Sequence, residues 1–209
     1  ACGDSYNILA PSEPAVSPSY TSYCCKMGAS RRPPAGLPSV LIIGDSVSNG
    51  LHPFVVELLA GRAEVLHGPR EDQDAGAGGV RVGAFCLDRW LVTQAPEHVD
   101  WDLIAFNFGL HNLNSSPGCL KRYRDELLTV TRRLVESTRA KLLFLTTTPY
   151  MPLRTAGDQV VEELNDIGRD VMRGAVNLSR PRGRGDDDDD IPGATARSDS
   201  CLGSAFARK

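Results

Sequence analysis

The sequence predicts an α/β fold, a mostly parallel sheet with helices on both faces, and three observations carry the prediction. Short apolar runs without polar alternation recur over residues 40–178, as in strands buried on both sides. Between them lie segments with apolar residues at three- and four-residue spacing, the period of helices. The two signals alternate as β-α-β-α-β-α-β-α-β, which requires right-handed crossovers and a layered architecture.

Five strands are expected, at VLII (40–43), AEVLH (63–67), DLIAFNF (102–108), KLLFLTTT (141–148) and AVNL (175–178). Four helices are expected between them. HPFVVELLA (52–60) has Pro53 at its start and Gly61 past its end, the usual asymmetry of helix termini. VRVGAFCLDRWLV (80–92) sets Phe85, Leu87, Leu91 and Val92 around one broad stripe. LKRYRDELLTVTRRLVEST (120–138) spaces Tyr123, Leu127, Val130 and Leu134 along one face. DQVVEELNDIGRDVMRG (158–174) does the same with Val161, Leu164, Ile167 and Val171. Five strands fit a three-layer α/β/α sandwich of flavodoxin-like order, 2-1-3-4-5. Strands 1 and 3 are then neighbours whose following helices go to opposite faces, and the crevice at their carboxyl ends is where ligands bind.

The domain is expected at 38–178, preceded by an extended Pro/Ser/Tyr-rich arm (1–37) that Cys24 or Cys25 could pin. A low-complexity tail with five consecutive aspartates, expected to be disordered, follows at 179–209. A calcium role for the aspartates is outweighed by a solvated charge run. The 209 residues carry a net charge of −3, which gives no reason to expect a nucleic-acid partner or an anionic membrane. No transmembrane segment and no signal peptide is visible, although the chain starts with Ala. Six cysteines permit three disulfides, reduced thiols being the alternative. The sequons at Asn114 and Asn177 weigh slightly toward secretion. A secreted monomer is expected, a cytoplasmic one being the alternative.

The chemistry is concentrated in two loops. SVLIIGDSVSNG (39–50) ends an apolar strand on Gly44, Asp45 and Ser46. A serine between strand and helix can attack a carbonyl while nearby backbone N–H groups receive the oxyanion. The plainer alternative is that Asp45 and Ser46 merely cap the next helix. The loop after strand 3, NFGLHNLNSSPG, carries Gly109, His111 and Asn112 and faces the same crevice.

These two segments, IIGDSVSNG and WDLIAFNFGLHNL, resemble the first and third blocks of the SGNH hydrolases, the GDSL family of esterases and lipases. Val47 stands where the family has Leu, and the third block resembles a branch reading Gly-Leu-His-Asp. CLDRWL and the lead-in to GDS are similar to that branch too. The resemblance implies a serine esterase without metal or cofactor, acting on a lipid or acetylated-carbohydrate ester. Ser46 matches the nucleophile, and its own N–H would serve the oxyanion hole. Gly79 is the choice for the second-block glycine, with Gly76 and Gly78 as rivals. Gly109 matches the third-block glycine. His111 falls where the family's Asn sits and Asn112 where its Asp sits, and either could donate to an oxyanion.

The family's last block, Asp-x-x-His, has no counterpart. None of His52, His67, His98 and His111 follows an Asp by three positions, and the tail reads as a substituted ending. Without a base, catalysis loses on the order of 10⁶ in rate while the oxyanion hole retains roughly 10³–10⁴ over water. The expectation is therefore an esterase, impaired in this chain, or an inactive SGNH-like binder of carbohydrate or lipid. His111 is the candidate base, set against a structural histidine that fixes its loop through a backbone carbonyl. His52 is expected to be exposed, His67 to end strand 2 one strand away from Ser46, and Trp90 and Trp101 to pack in the core. A phosphate-binding module or a signalling receiver fits less well: no Gly-x-x-x-x-Gly-Lys is present, and Asn107 stands where a receiver needs its phospho-accepting Asp.

Overall fold

The apolar run that ends on Gly44 is the second strand of the sheet. The computed structural model describes residues 25, 28–29, 31–69, 76–93, 99–149 and 156–178. Most of the arm, the whole tail and His98 lie outside the described residues. The elements in chain order are β1 (Ser39–Ile43), α1 (Ser46–Leu58), β2 (Glu64–Gly68), α2 (Val80–Trp90), β3 (Leu103–Phe106), α3 (Pro117–Ser137), β4 (Lys141–Phe144) and α4 (Ala156–Leu178), with a single 3₁₀ turn at Leu110–Asn112. All strand pairs are parallel, in the order β2-β1-β3-β4.

Four strands, not five, make up the sheet among the described residues. The segment expected as the fifth, 175–178, is the last turn of α4. A four-residue apolar run cannot be told from buried helix by pattern alone. Here Ala175 follows Val171 by four residues and is buried with it, so it extends the stripe of α4. A second difference lies in α1, which starts at Ser46 rather than His52 and holds Pro53 in its interior.

The register divides side chains between two unequal faces. Leu41, Ile43, Leu66, Ile104 and Phe106 share one core with α2, α3 and α4, whose contributions include Trp90, Leu127, Leu134 and Leu164. Val40, Ile42 and Val65 form a small second core, covered by Val55 of α1 and by Leu59 just past its end. On its outer side α1 exposes Val47, Leu51, Phe54 and Leu58, the last two 64% and 75% accessible. Trp90 and Trp101 are core residues, and the Trp101 indole donates to Leu91 O at 2.9 Å.

One tie fastens the start of the sheet and another the segment that precedes it. Asp102 accepts from the Ser39 backbone N–H (2.7 Å) and from its hydroxyl (3.0 Å), joining the starts of β1 and β3. Those two bonds hold the Asp102 carboxyl below the usual carboxylate range. The sign follows: this tie is present above the ordinary Asp pKa and is lost as pH falls through the lower folded value. The other tie is a disulfide from Cys25 to Cys86 on α2. Of the two cysteines weighed for pinning the arm, Cys25 therefore does so. Cys119 is also disulfide-bonded, and no cysteine among the described residues is free. Among the same residues no helix is long and apolar enough to cross a membrane.

Candidate functional site

Ile43 pairs with Phe106 at the carboxyl ends of β1 and β3, so the bends that follow leave neighbouring strand ends. In the first bend Asp45 is the N-cap of α1, its carboxylate accepting from Val47 N at 2.9 Å. The capping expected of this triplet thus falls to Asp45, which is 2% exposed. Ser46 is the first helical residue and is exposed, and its hydroxyl has no hydrogen-bond partner among the described residues.

A second loop, 76–79, is stitched to this bend. Asp45 and Gly76 form an antiparallel bridge, and Ala77 N donates to Gly44 O at 2.7 Å. Gly76 has φ +55°, and a Cβ there would lie 2.3 Å from Gly44 O, so both the conformation and the close approach require glycine. Gly79 is the N-cap of α2 and has no side chain to satisfy that helix start. The third bend supplies the missing acceptor: Asn112 Oδ1 accepts from Val80 N at 3.0 Å. This bond fixes the Asn112 amide, with Oδ1 on α2 and Nδ2 at its other end.

The β3 and β4 loops touch as well. A Cβ on Gly109 would fall 1.7 Å from Thr147 Oγ1. Asn107 Nδ2 donates to Leu145 O (2.6 Å) and Thr147 Oγ1 (3.2 Å). Asn165 clamps Thr147 from α4, accepting from its N–H at 2.7 Å and donating to its carbonyl at 3.0 Å. Tyr123 on α3 donates to Phe108 O, and burial pushes its phenol well above the ordinary value.

The donors in these loops with no hydrogen-bond partner among the described residues include the N–H of Ser46, the N–H of Gly79 and Nδ2 of Asn112. His111 lies in the 3₁₀ turn, half-buried, and makes no hydrogen bond to Ser46 or to any other described residue. The expectation that a backbone carbonyl holds its ring is not met. No group of three or more potential metal ligands occurs among the described residues.

His52 differs from its expected setting, and His67 has a partner that the sequence did not show. His52 is 8% exposed rather than solvent-facing, and its Nε2 lies 3.3 Å from Val65 O. His67 is fully buried, with Nε2 2.7 Å from Ser48 Oγ and Nδ1 2.6 Å from Pro69 O. Sequence reasoning discounted His67 as one strand removed from Ser46. The register places it beside Ile42 on the face covered by α1, where Ser48 points inward. Nothing in the order of residues gives that register.

No protein-family model matches the chain, and no curated protein matches it. Among solved structures, six chains match. One is LAE5, an alpha/beta hydrolase enzyme from the metagenome of Lake Arreo, Spain, 17% identical over 66% of this chain and 74% of that one, with a TM-score of 0.44. At that level nothing is carried over from LAE5 to the present site.

Proposed function

We propose that this protein is a serine hydrolase of the SGNH type that cleaves a carboxylic ester. The observation that supports it best is the set of unpaired donors, Ser46 N–H, Gly79 N–H and Asn112 Nδ2, on loops stitched together at the carboxyl ends of β1 and β3. Unpaired donors fixed by their neighbours need no reorganisation when charge develops, the property of an oxyanion hole. In this reading Ser46 Oγ attacks the ester carbonyl carbon while His111 takes the hydroxyl proton. The oxyanion is held by the three donors and then collapses. The alcohol leaves with the proton from His111, and water hydrolyses the acyl-serine.

The exposed row Val47, Leu51, Phe54 and Leu58 begins one residue after Ser46. That continuity favours an acyl chain lying along α1, and so a lipid ester over an acetylated carbohydrate. One observation favours the second reading, a non-catalytic binder: His111 is not hydrogen-bonded to Ser46. Incubation with p-nitrophenyl acetate and with a fluorophosphonate probe separates the two. A hydrolase labels on serine and loses the label in Ser46→Ala, and its kcat/KM rises from acetate to octanoate esters. Equal background in wild type and Ser46→Ala leaves only the binder.

A further inference from the structure

The Gly44–Asp45–Ser46 bend rests on a buried polar chain that the proposed reaction leaves unused. Ser48 is 6% exposed and His67 is fully buried. His67 Nδ1 must donate to Pro69 O (2.6 Å), because a carbonyl only accepts. Its Nε2 is 2.7 Å from Ser48 Oγ, and Ser48 Oγ in turn donates to Asp45 O at 2.7 Å. Asp45 O accepts a further bond from Asn49 N at 3.1 Å. A serine hydroxyl has one proton to give. Ser48 Oγ gives that proton to Asp45 O, and His67 Nε2 lies against the same hydroxyl oxygen.

The Asp45 carbonyl and the Ser46 N–H belong to one peptide unit. Hydrogen bonds accepted by the carbonyl draw electron density from the nitrogen and strengthen the N–H as a donor, by roughly 10–30% per bond. Asp45 O accepts two such bonds, while Ser46 N–H is itself unspent among the described residues. We infer that Ser48, held by His67, is a positioning residue that polarises the Ser46 N–H in advance for an oxyanion. This rests on the reading of Ser46 as nucleophile. A plain helix-start tie from Ser48 to Asp45 would affect stability alone.

The test compares wild type, Ser46→Ala, Ser48→Ala and Ser48→Thr, each confirmed folded by circular dichroism at the assay temperature. The readouts are the second-order rate of fluorophosphonate labelling and the steady-state constants for a p-nitrophenyl ester. Ser48→Ala is expected to label about 3–10-fold more slowly. The loss should fall on kcat with KM unchanged, and Ser48→Thr, which keeps the hydroxyl, should restore the rate. If Ser48→Ala does not fold, Ser48→Cys, similar in shape but a weak donor, takes its place. A donor-less variant that labels at the wild-type rate overturns the inference and leaves the nucleophile standing. Labelling that survives Ser46→Ala, or no labelling of wild type at all, overturns both.

Discussion

Asn112→Asp lowers kcat/KM for a nitrophenyl ester by about 10²–10³ and leaves thermal stability near that of the wild type, whereas Asn112→Ala loses both. The difference comes from the two ends of one amide. Oδ1 satisfies the N–H of Val80 at the first turn of α2, and Val80 is fully buried. Aspartate keeps that acceptor. It also places a negative charge at a helix start that has no acidic residue and no side-chain cap of its own, where the helix dipole favours it. Ionised aspartate has no donor, so the oxyanion contact assigned to Nδ2 disappears. Alanine strands the Val80 N–H, a cost of about 1–3 kcal/mol. Calorimetry and ester kinetics on the same preparations check this. Wild-type turnover in the Asp variant would remove Asn112 from the oxyanion hole.

Joint replacement of Cys25 and Cys86 by serine costs about 4 kcal/mol of stability, on the chain-entropy estimate for a loop of this length. The bridge closes a separation of 61 residues, and the joined segments already pack closely. A Cβ on Gly28 would lie 1.9 Å from Val92 O, and Ala29 is fully buried in the main core. Without the bond, Gly28 and Ala29 must find those positions at the expense of their own chain entropy. The melting temperature should drop by about 8–16 °C for a domain of this size. The double variant is the proper comparison, since a reductant would also open the bond at Cys119. An unchanged melting curve would show that packing alone holds the segment.

The periodicity of the sequence was sufficient for most of the layers. VLII, AEVLH, DLIAFNF and KLLFLTTT each fall on a strand, as runs without polar alternation between helical periods predict, although β4 leaves Leu143 46% exposed rather than covered on both faces. AVNL failed for the reason that makes short runs ambiguous: four residues carry too little period to separate a strand from the end of a buried helix. In the candidate site, Gly44, Asp45 and Ser46 were legible because a strand-to-helix turn has local chemistry. Two features were not. Asn112 bonds across 32 residues to Val80 and His67 bonds across 19 to Ser48, and both depend on strand register and loop path. Gly76 shows the same limit. Its φ of +55° and its bridge to Asp45 give it the close approach, while Gly79 caps α2, and the string DAGAGGVRVG does not order its glycines by role.

The unequal covering of the sheet bears on which part of the protein opens first. Among the described residues helix α1 covers the small core of Val40, Ile42 and Val65, so little buried area opposes its detachment, and such elements populate the low-energy end of local unfolding. Amide protons along the latter half of α1 should therefore exchange with solvent well before those of α3. Ser46 rides on the same helix, so its attachment at working temperature depends on the few buried polar bonds at the helix's first turn.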